Sequence, residues 1–192
     1  MEAFLVSTGL VALGEMGDKT QLLAMLLAAR FKRPALIVLG ILVATLANHA
    51  LAGALGAVVA QALGPQLLRW LIGLGFLAMA LWMLVPDQAD DEGVEGSARR
   101  LGVFATTVIA FFLAEMGDKT QIATVALAAR FEGALLAVVA GTTLGMLIAN
   151  VPAVYLGHRF ASRIPMRWVH GLSALLFALL GLGVLLGPWF GR

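Results

Sequence analysis

The residues able to do chemistry sit in one heptapeptide that occurs twice. "EMGDKTQ" occupies positions 15–21 and returns at 115–121. Each copy supplies two carboxylates (Glu15 and Asp18; Glu115 and Asp118), one ammonium (Lys19; Lys119) and the side-chain oxygens of Thr20 and Gln21 or Thr120 and Gln121. Both copies lie within otherwise apolar runs. On a continuous helix turning about 100° per residue, Glu15 and Asp18 share a face, Gln21 extends it, and Lys19 can pair with Glu15. Gly17 and Gly117 face away, leaving room for another backbone or for local unwinding.

A charged Asp or Lys at the centre of a bilayer costs roughly 2.5–3.5 kcal/mol. Such groups are tolerated when they pair, face a bundle interior or line a hydrated path. If the two motifs meet, four carboxylates and two ammonium groups sum to −2. One divalent cation neutralises that sum. Carboxylate, amide and hydroxyl oxygens are hard donors suited to Mg²⁺, Ca²⁺ or Mn²⁺. The chain has no Cys and no pair of His on one span face, so a dedicated zinc or copper site is not expected. Crowded carboxylates in a low-dielectric site favour their protonated forms once the metal leaves. Metal and proton then compete for the same oxygens, which is a chemical basis for antiport.

The elements that must position these residues follow from composition. Of 192 residues, 61% are apolar and only 12% charged, against about a quarter charged in a soluble domain. The fold class is therefore an all-α integral membrane protein. Six transmembrane helices are expected at 3–29, 34–60, 66–86, 101–129, 133–157 and 167–187, each long enough to cross about 30 Å of hydrocarbon. The start "MEAFLVSTGL" has no basic n-region and reads as a retained first span.

Residues 15–31 align without gaps on 115–131, and Asn48 and Asn150 recur in the second span of each half. The chain divides into a first three-helix repeat (1–86), an acidic linker (87–100) and a second three-helix repeat (101–192). Three crossings per repeat invert the second copy relative to the first, the arrangement of many secondary transporters. Arg30, Lys32, Arg33, Arg99, Arg100, Arg159, Arg163 and Arg167 fall on one side, against Arg69, Arg130 and Arg192 on the other. The positive-inside rule makes the first side cytoplasmic, with both termini outside and the acidic linker inside.

Neighbouring residues suit supporting roles. Met16 and Met116 adjoin the motif Glu and offer softer thioether donors, or plain apolar packing. Asn48 and Asn150 offer interhelical hydrogen bonds or contact with the ion. Gln21 and Gln121 are open to either a helix-face bond or ligation. Lys19 and Lys119 tune the charge. His49 has no counterpart in the second half and suits helix packing or proton relay. Arg30 and Arg130 snorkel at span ends. The bland reading of the acids is a set of Glu–Lys pins between helices, which leaves the Asp in each copy without a purpose.

Two copies of E-x-G-D-[KR]-[TS], one per three-helix half, resemble the GDT family of membrane cation/proton exchangers. The resemblance spans the whole chain, with both motifs intact. It implies a secondary transporter in the inner (cytoplasmic) membrane that exports Mn²⁺, with Ca²⁺ also handled by relatives, in exchange for protons by alternating access. It also implies that Glu15, Asp18, Glu115 and Asp118 bind the ion, with Lys19, Thr20, Lys119 and Thr120 completing the motif. The expected partners are the divalent ion and the bilayer, not nucleic acid, and a homo-oligomer is compatible with the chain. No resident cofactor and no enzymatic activity are expected. A different transport reading is export of a small basic organic solute, such as an amino acid, held by the same acids.

Overall fold

The structure is a computed structural model that describes residues 1–84, 94–156 and 166–186. These residues form eight helices: α1 (Glu2–Glu15), α2 (Lys19–Phe31), α3 (Pro34–Ala62), α4 (Pro65–Trp82), α5 (Val94–Glu115), α6 (Lys119–Arg130), α7 (Leu135–Leu156) and α8 (Met166–Leu186). Three of them, α3, α4 and α7, are long and apolar enough to cross a membrane. Shorter apolar stretches run over Gly102–Glu115 and Gly171–Leu186. Residues 87–93 of the expected linker lie outside the described residues, as do Arg159, Arg163, Pro165 and Arg192. Residues 94–100 begin α5, whose helical course is interrupted at Gly102 (φ 74°, ψ 165°).

The expected first and fourth spans are not continuous. Each is two helices with a break inside the motif, between Glu15 and Lys19 and between Glu115 and Lys119. The breaks share their geometry: Gly17 has φ 84° and Gly117 φ 77°, a region where a Cβ is strained. Asp18 and Asp118 follow in extended conformation and open the next helix. The chain therefore stops at a glycine and restarts at an aspartate.

Local sequence accounts for the other boundaries. Pro34 and Pro65 occupy the first turn of α3 and α4, where a missing N–H removes no helical bond. Helix α2 ends with Lys32 in the left-handed region, its N–H bonded to the Ala28 carbonyl. Helix α7 carries Pro152 internally, which helices in membranes tolerate when neighbours satisfy the freed carbonyl.

Small residues at particular helix contacts let backbones approach closely. A Cβ added at Gly141 would lie 2.5 Å from the Phe4 carbonyl oxygen and 3.0 Å from Ser7 Cβ. A Cβ at Gly40 would lie 2.7 Å from Thr107 Cβ and 3.2 Å from the Phe104 carbonyl oxygen. The same contact thus occurs twice with the copies exchanged: α1 against α7, and α5 against α3. Helices α3 and α7 also pack on each other and on the partner copy's short helix, α6 and α2. Apart from these, α4 and α8 pair through Gly73 and Gly181 and the rings of Phe76 and Phe177, 6.1 Å apart. Arg69 ties this pair by donating to the last carbonyls of α8, at Val184 (3.1 Å) and Leu185. Large apolar side chains such as Leu51, Val58, Leu67, Trp70, Leu81 and Leu113 cover the outside.

A Cβ at Gly117 would meet open space, so only backbone strain opposes a side chain there. Gly117→Ala is expected to lower stability by about 1–2 kcal/mol. Gly9→Ala, in open space within α1, is expected to raise it by up to about 1 kcal/mol. Thermal unfolding of the purified variants checks both signs.

Candidate metal site

The two breaks face each other at the centre of the bundle and bring the motif acids together. Glu15, Asp18, Glu115 and Asp118 are all buried, none more than 3% exposed. Carboxylate oxygens of Glu15, Glu115 and Asp118 lie within 4.8 Å of one another. Glu15 Oε1, Glu115 Oε1 and Asp118 Oδ2 accept no hydrogen bond among the described residues. Buried polar atoms are rarely left in that condition unless something else fills the site.

The broken helices shape the local field. Glu15 and Glu115 end α1 and α5, where unsatisfied carbonyls carry partial negative charge and favour cations. Asp18 and Asp118 sit at the start of α2 and α6, where the partial positive charge favours a carboxylate. Asp is a preferred N-cap because its side chain bonds the first-turn amides. Neither Asp does so here; their carboxylates are turned to other partners.

Those partners are the lysines of the opposite copy. Lys19 Nζ lies 2.8 Å from Asp118 Oδ1, and Lys119 Nζ lies 2.5 Å from Asp18 Oδ1. This corrects the expectation of a Glu15–Lys19 pair along one helix turn, because the break rotates the two residues onto different helices. It equally removes the shared face expected for Glu15, Asp18 and Gln21. The pairs differ in exposure: Lys19 is 31% exposed and Lys119 3%.

The remaining motif residues hold the frame. Thr20 Oγ1 donates to Glu15 Oε2 (2.6 Å) and Thr120 Oγ1 to Glu115 Oε2 (2.9 Å), fixing one oxygen of each Glu across the break. Gln21 accepts from the Gly17 amide (3.1 Å) and donates to the Ala149 carbonyl of α7 (3.0 Å). Gln121 accepts from the Gly117 amide (2.7 Å) and donates to Asn48 Oδ1 of α3 (2.5 Å). Asn48 in turn donates to the Phe112 carbonyl (3.2 Å). Each Gln thus braces its own break and ties it to the other copy, with both ends of its amide engaged.

Other candidate residues stand apart from the three-carboxylate group. Met116 is 59% exposed, and Met16 is half-buried. Asn150 donates back to Met146 on its own helix. His49 is fully buried, with neither ring nitrogen hydrogen-bonded among the described residues. Arg30 and Arg130 lie over the rings of Phe31 and Phe131, at 5.7 and 5.4 Å. Sequence reasoning missed the crossed lysine pairs and the bracing role of the glutamines. The stop-and-start order Gly-Asp is the signal that announces the break.

Apolar helices packed around two facing breaks, with buried acids that keep oxygens open, define a membrane protein of the ion-transporting class. A family profile described as "Divalent cation/proton antiporter GDT1" matches residues 3–91 and 103–191, and the chain belongs to that family. A Vibrio cholerae protein named "Putative manganese exporter" is 50% identical over 182 residues, covering 95% of this chain and 90% of that protein. A GDT1-like protein of Synechocystis is 30% identical, covering 93% of this chain and 94% of its own length. GDT1-like protein 3 of Arabidopsis thaliana is also 30% identical, covering 92% of this chain and 68% of its own. No solved structure gives a significant match.

The crossed pairs carry a stability prediction. Lys119→Met removes the cation of an enclosed pair and is expected to cost about 3–5 kcal/mol. Lys19→Met also leaves a buried carboxylate, but the ammonium it removes is 31% exposed, so it is expected to cost less than Lys119→Met. Thermal unfolding in a fixed lipid or detergent environment compares the two.

Proposed function

We propose that the chain exports Mn²⁺, and accepts Ca²⁺ at the same site, in exchange for protons by alternating access. The observation that carries this reading is the group of Glu15, Glu115 and Asp118, drawn from both copies, with open oxygens within 4.8 Å of one another. Asp18 completes the set from beside its lysine partner. All donors are carboxylate oxygens, which suits a hard divalent ion. The name of the Vibrio cholerae relative supports manganese as the physiological cargo.

The assembly proposed is six membrane crossings in two inverted repeats, 1–86 and 101–192, joined by the acidic linker 87–100. Each broken pair, α1–α2 and α5–α6, makes one crossing. The exchanged contacts of α1 with α7 and of α5 with α3 support this arrangement, and broken helices at a repeat interface recur in secondary transporters. The eight-to-three distribution of basic residues supports an inner-membrane orientation with both termini outside and the linker cytoplasmic. Rocking one repeat against the other then exposes the shared site to each side in turn.

Protons enter through competition for the same oxygens. A carboxylate must be deprotonated to bind the ion, so metal affinity falls as pH falls. In proteoliposomes, an inward-directed supply of Mn²⁺ is expected to accumulate only with an opposing proton gradient, and Mn²⁺ binding is expected to weaken as pH falls. Asp118→Asn and Glu15→Gln are expected to reduce transport by at least about a hundredfold. Unchanged transport in these variants rules out the site, and lysine binding in place of Mn²⁺ favours a basic solute.

A further inference from the structure

We propose that Lys19 is a tethered counter-cation which the transported ion must displace, whereas Lys119 is a fixed partner that stays in place. The proposal rests on the metal-site reading above and assigns different work to two residues at the same motif position.

Asp118 connects the lysine to the site. Its Oδ1 holds the Lys19 ammonium at 2.8 Å, while its Oδ2 is open and Asp118 belongs to the group with Glu15 and Glu115. A divalent ion seated in that group draws on the same carboxylate and repels the ammonium beside it. Both cations cannot keep full hold of Asp118. In the empty protein the ammonium supplies the positive charge that three neighbouring carboxylates lack.

Exposure decides which lysine can leave. Lys19 is 31% exposed and sits on a flexible four-carbon stem, so its head has room to move away from Asp118. Lys119 is 3% exposed and its partner Asp18 1%. Moving Lys119 would strand two charges inside the bundle. The exposed flank of Lys19 is therefore the mouth through which the ion reaches Asp118.

This exchange also sorts ions by charge. A tethered ammonium competes at an effective concentration of roughly millimolar or above. A monovalent ion brings only the charge that the ammonium already supplies. A divalent ion brings twice that charge and wins the exchange. Lys19 is thus a specificity-determining residue as well as a plug.

The chain contains three lysines, Lys19, Lys32 and Lys119, so amine labelling reads each one separately. Lys32 is exposed and serves as the internal reference. The protein in lipid nanodiscs is acetylated with sulfosuccinimidyl acetate, with and without saturating Mn²⁺, and the peptides are quantified by mass spectrometry. Bound Mn²⁺ is measured in parallel by electron paramagnetic resonance. Mn²⁺ is expected to raise Lys19 acetylation relative to Lys32 about tenfold, while Lys119 stays poorly labelled in both states. Lys19→Gln is expected to bind Mn²⁺ about tenfold more tightly and to become sensitive to Na⁺, with Lys19→Arg restoring the native behaviour. Bound Mn²⁺ with unchanged Lys19 labelling, or equal or weaker affinity in Lys19→Gln, overturns the exchange and leaves the metal site standing. Absence of Mn²⁺ binding in the native protein overturns both.

Discussion

A charge inside an apolar bundle has to meet an opposite charge there, because water is not at hand to solvate it. In this protein neither copy of the motif meets that requirement alone. Each carries two acids and one lysine, and each lysine is committed to the aspartate of the other copy. The remaining features serve this crossing. The helices break so that Asp and Lys can turn away from their own Glu, and the small residues of α3 and α7 let the four central helices come close enough for the ammonium groups to reach.

Each break is also braced by hydrogen bonds of its own motif. Thr20 and Thr120 fix one oxygen of each Glu, while Gln21 and Gln121 close each gap and tie it to α7 or α3. Among the described residues, Glu15 Oε1, Glu115 Oε1 and Asp118 Oδ2 accept no hydrogen bond. The frame is held by neutral hydrogen bonds and the charged atoms are held by one another. The ion pairs span the two copies, whereas the threonine bonds stay within one.

Much of this was legible in the sequence. The repeated heptapeptide, the apolar runs and the hard-donor chemistry led to buried acids shared between two halves, and the structure places those acids together. The course of the backbone through the motif was not legible on a periodic reading. A 3.6-residue period treats Glu15, Asp18 and Gln21 as one face, yet Gly17 in the left-handed region followed by Asp18 is the ordinary punctuation of one helix ending and another beginning. Apolar flanks on both sides masked that signal, because a long hydrophobic run argues for a single span. The crossed pairing of Lys19 and Lys119 follows from the break and so was hidden with it. Likewise, Asn48 and Asn150 look equivalent in sequence, but Asn48 receives Gln121 while Asn150 folds back on Met146. Nothing short of the packing distinguishes them.

The crossed pairs bear on how the chain is made. Asp18 leaves the ribosome well before Lys119, its partner, and Lys19 well before Asp118. At typical elongation rates of about 5–20 residues per second, the first copy waits roughly 5–20 s for the second. During that interval its acids and its lysine have no cross-copy partner. The duplicated heptapeptide therefore leaves neither copy's lysine paired until both copies have been translated.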